Sequence, residues 1–523
     1  MASAESASLG RKVRTAARWS LVNTVVLRLG NFATGIVLAR FALGPAEWGV
    51  YGVAQTVLMV LLSANELGVG LAVVRWEGDL RRFAPTVQTL STLSSGLLYL
   101  VLFAAAPALA DALGSPSASW VLRVMCVSVV LDGLAQVPNG VITREFAQIR
   151  RLVLDSVNFG ISTGVTLGLA FAGWGAMSFA VGALAGNAAS LLGAVIAAPG
   201  AFRFGWNRAE AGALLRFGLP LAGASLLALG VVNVDTLIVG ATLGKVALGY
   251  YVLAFNMSGW PVRVVSEAAR RVSFAGFSRL AESAGPALAD GFSRALRVLV
   301  TGTVPMCVLL AGLAAPVVGL VYGHEWLPAA RALPWLMALG LTRIGCELAY
   351  DCLVAIGARH ALLAVQGLWL AALIPTLFGG ARLDGIAGVS AGHALVAAGL
   401  VVPAFLLALR RGGIGVRVVA RACAWPFLAG AAMAAVLVGL PRALGHSLLA
   451  LAAASAGALA VYALGVLPTR HALLGVEPRH GRHARPRALL PGPSRPPVPP
   501  PRHSSESDPE PLLDGTGADG VRP

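Results

Sequence analysis

Arg343, Glu347 and Asp351 recur at every fourth residue within an otherwise apolar stretch, LPWLMALGLTRIGCELAYDCLVA. At i, i+4 and i+8 the three stack on one face of a helix. Arg28 and Asp235 are equally isolated among apolar neighbours, and Arg263 follows Trp260-Pro261, where proline can kink a helix. Arg75 occupies the comparable end of an earlier apolar stretch. A guanidinium in such a place needs water, a carboxylate or an anionic ligand, and phosphate oxygens suit its planar fork. A carboxylate there takes up a proton or cation, or pairs with an arginine. The plainer alternatives are structural. Arg28 would pair with Glu66 and Arg343 with Glu347, Asp351 would be wetted near a helix end, and Arg75 and Arg263 would reach an interface on their own stems.

The elements that must hold these groups are spans of a lipid bilayer. The chain is 57% apolar and 12% charged, whereas a soluble domain carries roughly a quarter charged residues. The apolar residues fall in blocks of roughly 18–25, the length that crosses a hydrocarbon core of about 30 Å. About fourteen such blocks run from residue 19 to residue 467. Basic residues alternate between the connectors. One side carries clusters such as Arg144, Arg150 and Arg151, or Arg410, Arg411, Arg417 and Arg421, while the other carries about one per connector, such as Arg40, Lys245 and Arg331. That asymmetry places the clusters, and both chain ends, in the cytoplasm. On this layout Arg28, sixteen residues before Gly44, lies roughly 24 Å from the outer end of the first span, and Asp235 roughly 13 Å from that of the seventh.

The same layout excludes other classes. A net charge of +16 could suit nucleic acid, but the basic residues sit in short connectors rather than on a soluble domain. Five cysteines lie in or beside apolar blocks without CxxC spacing, as reduced packing residues do. There is no Walker A sequence, and His324, His393 and His446 are isolated, so neither ATP hydrolysis nor a resident metal is expected. The first block is too long for a secretory signal and reads as a retained span.

An internal repeat organises the spans. LGPAEWGVYGVA (residues 43–54) and LGKVALGYYVLA (residues 243–254) share Leu, Gly, Gly, Tyr and Ala at a constant offset of two hundred residues. Each is an outer turn between the first and second spans of a bundle. A glycine is expected to end one helix in a left-handed cap, and the next glycine to admit a close backbone. Six spans separate the copies, so the repeat is parallel.

The resulting expectation is an all-α integral membrane protein of two six-helix bundles plus two C-terminal helices. Its parts are a basic cytoplasmic N-terminus (1–18), an N-terminal bundle (19–198), a cytoplasmic linker (199–215), a C-terminal bundle (216–409), two extra helices (421–467) and a Pro-rich cytoplasmic tail (470–523). The tail's Pro, Arg, His and Ser content cannot bury a core.

Four segments carry a family resemblance. LARFALGPAEWGVYGVAQ, NELGVGLAVVRWEGD, TREFAQIRRLVL and NVDTLIVGATLGKVALGYYVLA resemble, in order, the first outer loop, the second span's end, the loop after the fourth span and the seventh span of bacterial polysaccharide transporters. These are the Wzx-type oligosaccharide flippases, the lipopolysaccharide-exporter branch of the multidrug/oligosaccharidyl-lipid/polysaccharide superfamily. The likeness runs from about residue 15 to residue 410. It implies two bundles around a central cavity in a bacterial cytoplasmic membrane. It also implies alternating access that moves an undecaprenyl-diphosphate-linked oligosaccharide to the outer leaflet, without enzymatic chemistry. Arg28, Asp235, Arg343, Glu347, Asp351, Arg263 and Arg75 are then the expected cavity residues, with a lipid diphosphate for Arg28 and a coupling proton or cation for Asp235. Membrane lipids, a polysaccharide polymerase and glycosyltransferases are the implied partners. The alternatives are a multidrug/cation antiporter or lipid II flippase of the same fold, and a membrane-embedded glycan polymerase or ligase. The last would need a long outer loop with clustered arginines, and none is long enough.

Overall fold

A computed structural model describes residues 26–65, 80–145, 147–216, 233–260, 286–444 and 448–469. The expected sites Arg75 and Arg263, the pairing candidate Glu66, the basic N-terminus and the Pro-rich tail lie outside these residues.

Among the described residues the chain is helical and has no strand. The first half holds α1 (residues 26–41), α2 (Pro45–Asn65), α3 (Leu80–Ala112), α4 (Ala118–Met125), α5 (Val127–Arg144), α6 (Gln148–Phe171) and α7 (Met177–Ala197). A short helix, α8 (residues 208–216), lies in the segment expected to be a plain linker. The second half holds α9 (Asn233–Trp260), α10 (Pro286–Gly312), α11 (Ala314–Val321), α12 (Leu333–Ala355), α13 (Arg359–Val396), α14 (Val402–Arg411), α15 (Val416–Leu444) and α16 (Leu448–Val466). Among the described residues ten helical stretches are long and apolar enough to cross a membrane.

The polarity of α3 is inverted relative to a soluble helix. It buries Gln88, Ser91 and Ser95 and exposes Leu93, Leu97 and Leu100 at more than 60% each. In water that arrangement would be costly, whereas in lipid it satisfies both faces. The Gln88 Nε2 donates to the Leu134 carbonyl of α5 at 3.1 Å and ties the two helices together.

Two expected span pairs are continuous helical runs, each interrupted at a turn that contains a positive-φ glycine. In α9, Gly244 has φ +79°, a value no right-handed helix contains, so the chain turns there between the seventh and eighth spans. In α13 the break falls at Asp384 and Gly385 (φ +54°), and the two arms fold back until Gly380 and Gly388 meet backbone to backbone. Gly44 does not take the left-handed cap expected of it. The Leu43 N–H already closes the end of α1 on the Leu38 carbonyl at 2.8 Å, and a residue preceding proline is held near extended backbone by Pro45.

Small residues set the closest packing. α6 and α7 form an antiparallel pair whose contact runs through Gly182 and Gly186; a methyl on Gly182 would overlap the Thr166 hydroxyl, and one on Gly186 would lie 2.7 Å from Ser162 Cβ. In the second half α10 packs against α12 and α15, and α15 pairs with α16.

The two repeats also meet each other. A methyl on Gly49 would overlap the Lys245 carbonyl, and one on Gly249 would overlap the Pro45 carbonyl. Residues 45 and 245 are themselves partners under the two-hundred-residue offset, so the contacts are reciprocal. Gly52 faces Val252, its own counterpart, and a methyl there would stand 2.9 Å from Val252 Cγ2. The copies therefore pack about a local pseudo-two-fold axis through these glycines.

Candidate functional site

A cavity of about 490 Å³ lies between α1, α2, α4, α6 and α7 of the first half and α9 of the second. Arg28, Asn31, Phe32 and Thr34 reach it from α1, Trp48, Tyr51 and Gln55 from α2, and Ser162, Thr163 and Thr166 from α6. The second half supplies Asn256, Met257 and Trp260 from α9, with Tyr322 just past α11. Both repeats thus contribute walls.

The glycine contacts close one end of this space. Beyond Tyr51 the backbones of α2 and α9 touch at Gly49 and Gly249, and the turn after α3 adds a further backbone contact of Gly114 on Gly240. Over the seal lies a 3₁₀ turn, residues 324–331, whose Trp326 is fully buried and donates its indole N–H to the Ala39 carbonyl at 2.9 Å. Trp326 meets Trp48 and Tyr250 edge-on at centroid distances of 5.7 and 6.1 Å. Arg40 adds a bond to the Gly319 carbonyl.

The cavity wall mixes one cation with flat aromatic faces and short polar side chains. Tyr51 stacks on Phe179 at 4.0 Å, and Phe32 meets Trp260 at 4.5 Å. Guanidinium with amides and hydroxyls suits a phosphorylated, hydroxyl-bearing ligand, and the rings suit sugar or lipid faces. Arg28 is partly buried at this surface.

Asp235 is placed differently. It has no exposed surface and does not line this cavity. Its Oδ1 accepts the Thr236 N–H at 2.7 Å, its Oδ2 accepts the Tyr251 hydroxyl at 2.7 Å, and His393 Nδ1 lies 3.4 Å from Oδ2. The helix turn at Gly244 brings Tyr251 back beside Asp235, and the second arm of α13 delivers His393. Trp369, on the first arm, meets the imidazole edge-on at 6.4 Å.

Arg343, Glu347 and Asp351 do share a face of α12, each half-buried, but none lines this cavity or the smaller one beside it. On α5, Asp132 accepts bonds from Asn65 (3.0 Å) and Gln136 (3.1 Å). Arg123 lies over the Phe103 and Trp120 rings.

Sequence reasoning placed a span at α6 but missed its polar face. Asp155, Asn158, Ser162 and Thr166 recur at three- and four-residue steps, with Thr163 beside them, and that polar periodicity inside an apolar span was the available signal. His393 gave no such signal, because its partner is 158 residues away.

The geometry agrees with comparisons to known proteins. A family model described as "Polysaccharide biosynthesis protein" matches residues 37–331. The succinoglycan biosynthesis transport protein ExoT of Rhizobium meliloti is 24% identical over 325 residues, 62% of this chain and 65% of ExoT, just under two thirds of that relative's length. The lipopolysaccharide biosynthesis protein WzxC of Escherichia coli is 23% identical over 402 residues, 74% of this chain and 79% of WzxC. Among solved structures, the lipid II flippase MurJ in an inward closed conformation shares the fold, with a TM-score of 0.71 at 14% identity, covering 87% of this chain and 99% of that one.

Proposed function

The chain belongs to the polysaccharide biosynthesis protein family, and from that premise we propose that it carries a lipid-linked oligosaccharide across the bacterial cytoplasmic membrane by alternating access. The observation that carries this reading is a cavity walled by both repeats, bearing Arg28, and sealed at one end by reciprocal glycine contacts. A space closed at one end by a seam between two similar halves suits a carrier, since rocking the halves about the seam would exchange the open side. The sealed end is the outer one on the charge asymmetry of the connectors, which leaves the cavity facing the cytoplasmic leaflet where such precursors are made.

Within the cavity Arg28 pairs with the diphosphate that joins polyprenol to glycan, two N–H groups to two phosphate oxygens. The rings of Trp260, Phe32 and Tyr51 give the first sugars and the lipid stem flat apolar surfaces. Asp235 holds the coupling ion. Its oxygens already accept from Thr236 and Tyr251 and face His393, which favours a proton shared with the imidazole over a metal cation needing several oxygens of its own. Glycosyltransferases supply the substrate, and a polymerase on the other side receives it.

The test uses proteoliposomes carrying a fluorescent polyprenyl-diphosphate sugar. Movement of the label between leaflets without new glycosidic bonds is the expected result. Glycan extension would mark an enzyme instead, and no movement in the presence of an imposed proton gradient would overturn the reading.

A further inference from the structure

Beside the main cavity, and sharing Asn31, Ser162 and Thr163 with it, is a second space of about 310 Å³ between α1, α6 and α7. Its wall is mostly polar, with Leu27 and Phe159 as the apolar members. Asp155 and Asn158 come from α6 and Ser190 from α7, with Phe159 as the aromatic surface. Phe159 closes on α1 because residue 30 is glycine, and a methyl there would overlap the ring. Asn158 is held by a bond from its Nδ2 to Asn187 Oδ1 at 3.0 Å, so its carbonyl direction is fixed.

We propose that this side chamber is a glycan subsite that receives the sugar next to the diphosphate and selects a neutral or amino sugar over a uronic acid. The inference rests on the transport reading above and adds the chemistry of the cargo. Lipid tails have no use for a wall of a carboxylate, amides and hydroxyls, whereas a pyranose offers hydroxyls that both donate and accept. The volume is at the small end of the about 300–1,000 Å³ typical of small-molecule sites, which suits a sugar ring or two and not a polyprenyl chain. Position agrees with composition: Arg28 and Leu27, which lines the chamber, are adjacent on α1, and Asn31 belongs to both spaces. A diphosphate at Arg28 therefore places its attached sugar at the chamber's mouth. Opposite charges sort the ligand, since Arg28 draws the diphosphate and the Asp155 carboxylate accepts hydroxyl protons while repelling a second carboxylate.

The experiment uses the full chain in nanodiscs and three probes: polyprenyl diphosphate, polyprenyl-diphosphate glucose and polyprenyl-diphosphate glucuronate. Binding is read from the fluorescence of the cavity tryptophans. The expected order for the natural sequence is glucose-linked tightest. Asp155→Asn and Ser190→Ala should each weaken the glucose-linked probe by about tenfold, and should move the bare diphosphate by less than about twofold. Asp155→Asn should also narrow the preference for glucose over glucuronate. Unchanged glucose-linked affinity in both variants overturns the subsite, as does an equal loss for the bare diphosphate. If the natural sequence binds none of the three probes, the transport reading itself fails, and that outcome is distinct from failure of the subsite.

Discussion

His393 Nδ1 stands 3.4 Å from Asp235 Oδ2, with both side chains withdrawn from solvent. A carboxylate and an imidazole this close in a membrane can exchange one proton between them without leaving an uncompensated charge. Asp235→Asn keeps the shape and the bond from Thr236 but cannot take up a proton. Transport driven by an imposed proton gradient should fall by about tenfold or more, with polyprenyl-diphosphate binding changed by less than about twofold. Parallel flux and binding measurements on one preparation check this.

Gly49→Val tests the seam. The clash is with the Lys245 backbone carbonyl, which no side-chain rotation relieves. Overpacking of this kind costs about 1–3 kcal/mol, and each 1.4 kcal/mol shifts a two-state balance about tenfold. The sealed form should lose population. A cysteine in place of Gln55, which lines the cavity, should then react faster with an impermeant maleimide applied from outside.

Arg28→Ala should weaken polyprenyl-diphosphate binding by about tenfold or more, because a charge-assisted bidentate contact is lost. Arg28→Lys should fall between, since it keeps the charge and loses the fork. Equal binding in all three proteins would remove Arg28 from the site.

Trp326 makes a graded stability prediction. Trp326→Phe loses the bond to Ala39 for about 1 kcal/mol, while Trp326→Ala empties a fully buried site at about 3–5 kcal/mol. Melting of the detergent-solubilised protein should rank natural sequence above Phe above Ala.

Arg331 and Asp384 make the opposite prediction. Their ion pair is short at 2.7 Å, but the side chains are 70% and 54% exposed. Exposed pairs contribute about 0–1 kcal/mol, so Asp384→Ala should leave the melting temperature nearly unmoved.

The sequence made the helices and the repeat legible because apolar block length and a fixed two-hundred-residue offset are one-dimensional signals. Arg28 was legible for the same reason: its depth follows from counting back to Gly44, and the cavity does reach it. Counting also gave Asp235 a depth, but depth along a helix does not say which neighbour it faces, and the structure turns it toward Tyr251 and His393 instead of the cavity. The α12 stripe shows the same limit, since a shared face is periodic information and the identity of the opposing helix is not. At Gly44 the repeat itself misled. Its partner Gly244 adopts the left-handed turn, while Pro45 denies that option to the first copy.

The polar face of α6 bears on how the protein is made. A helix carrying Asp155 and Asn158 reaches the bilayer before any chamber exists for those groups to line, and polar groups within a span are costly until neighbouring helices enclose them. α7 follows after a five-residue turn and offers Asn187 to Asn158, with glycines where the two must close. Biogenesis should therefore deliver the pair as one hairpin, so that the residues reserved for cargo are sheltered by their own neighbour from the moment of synthesis.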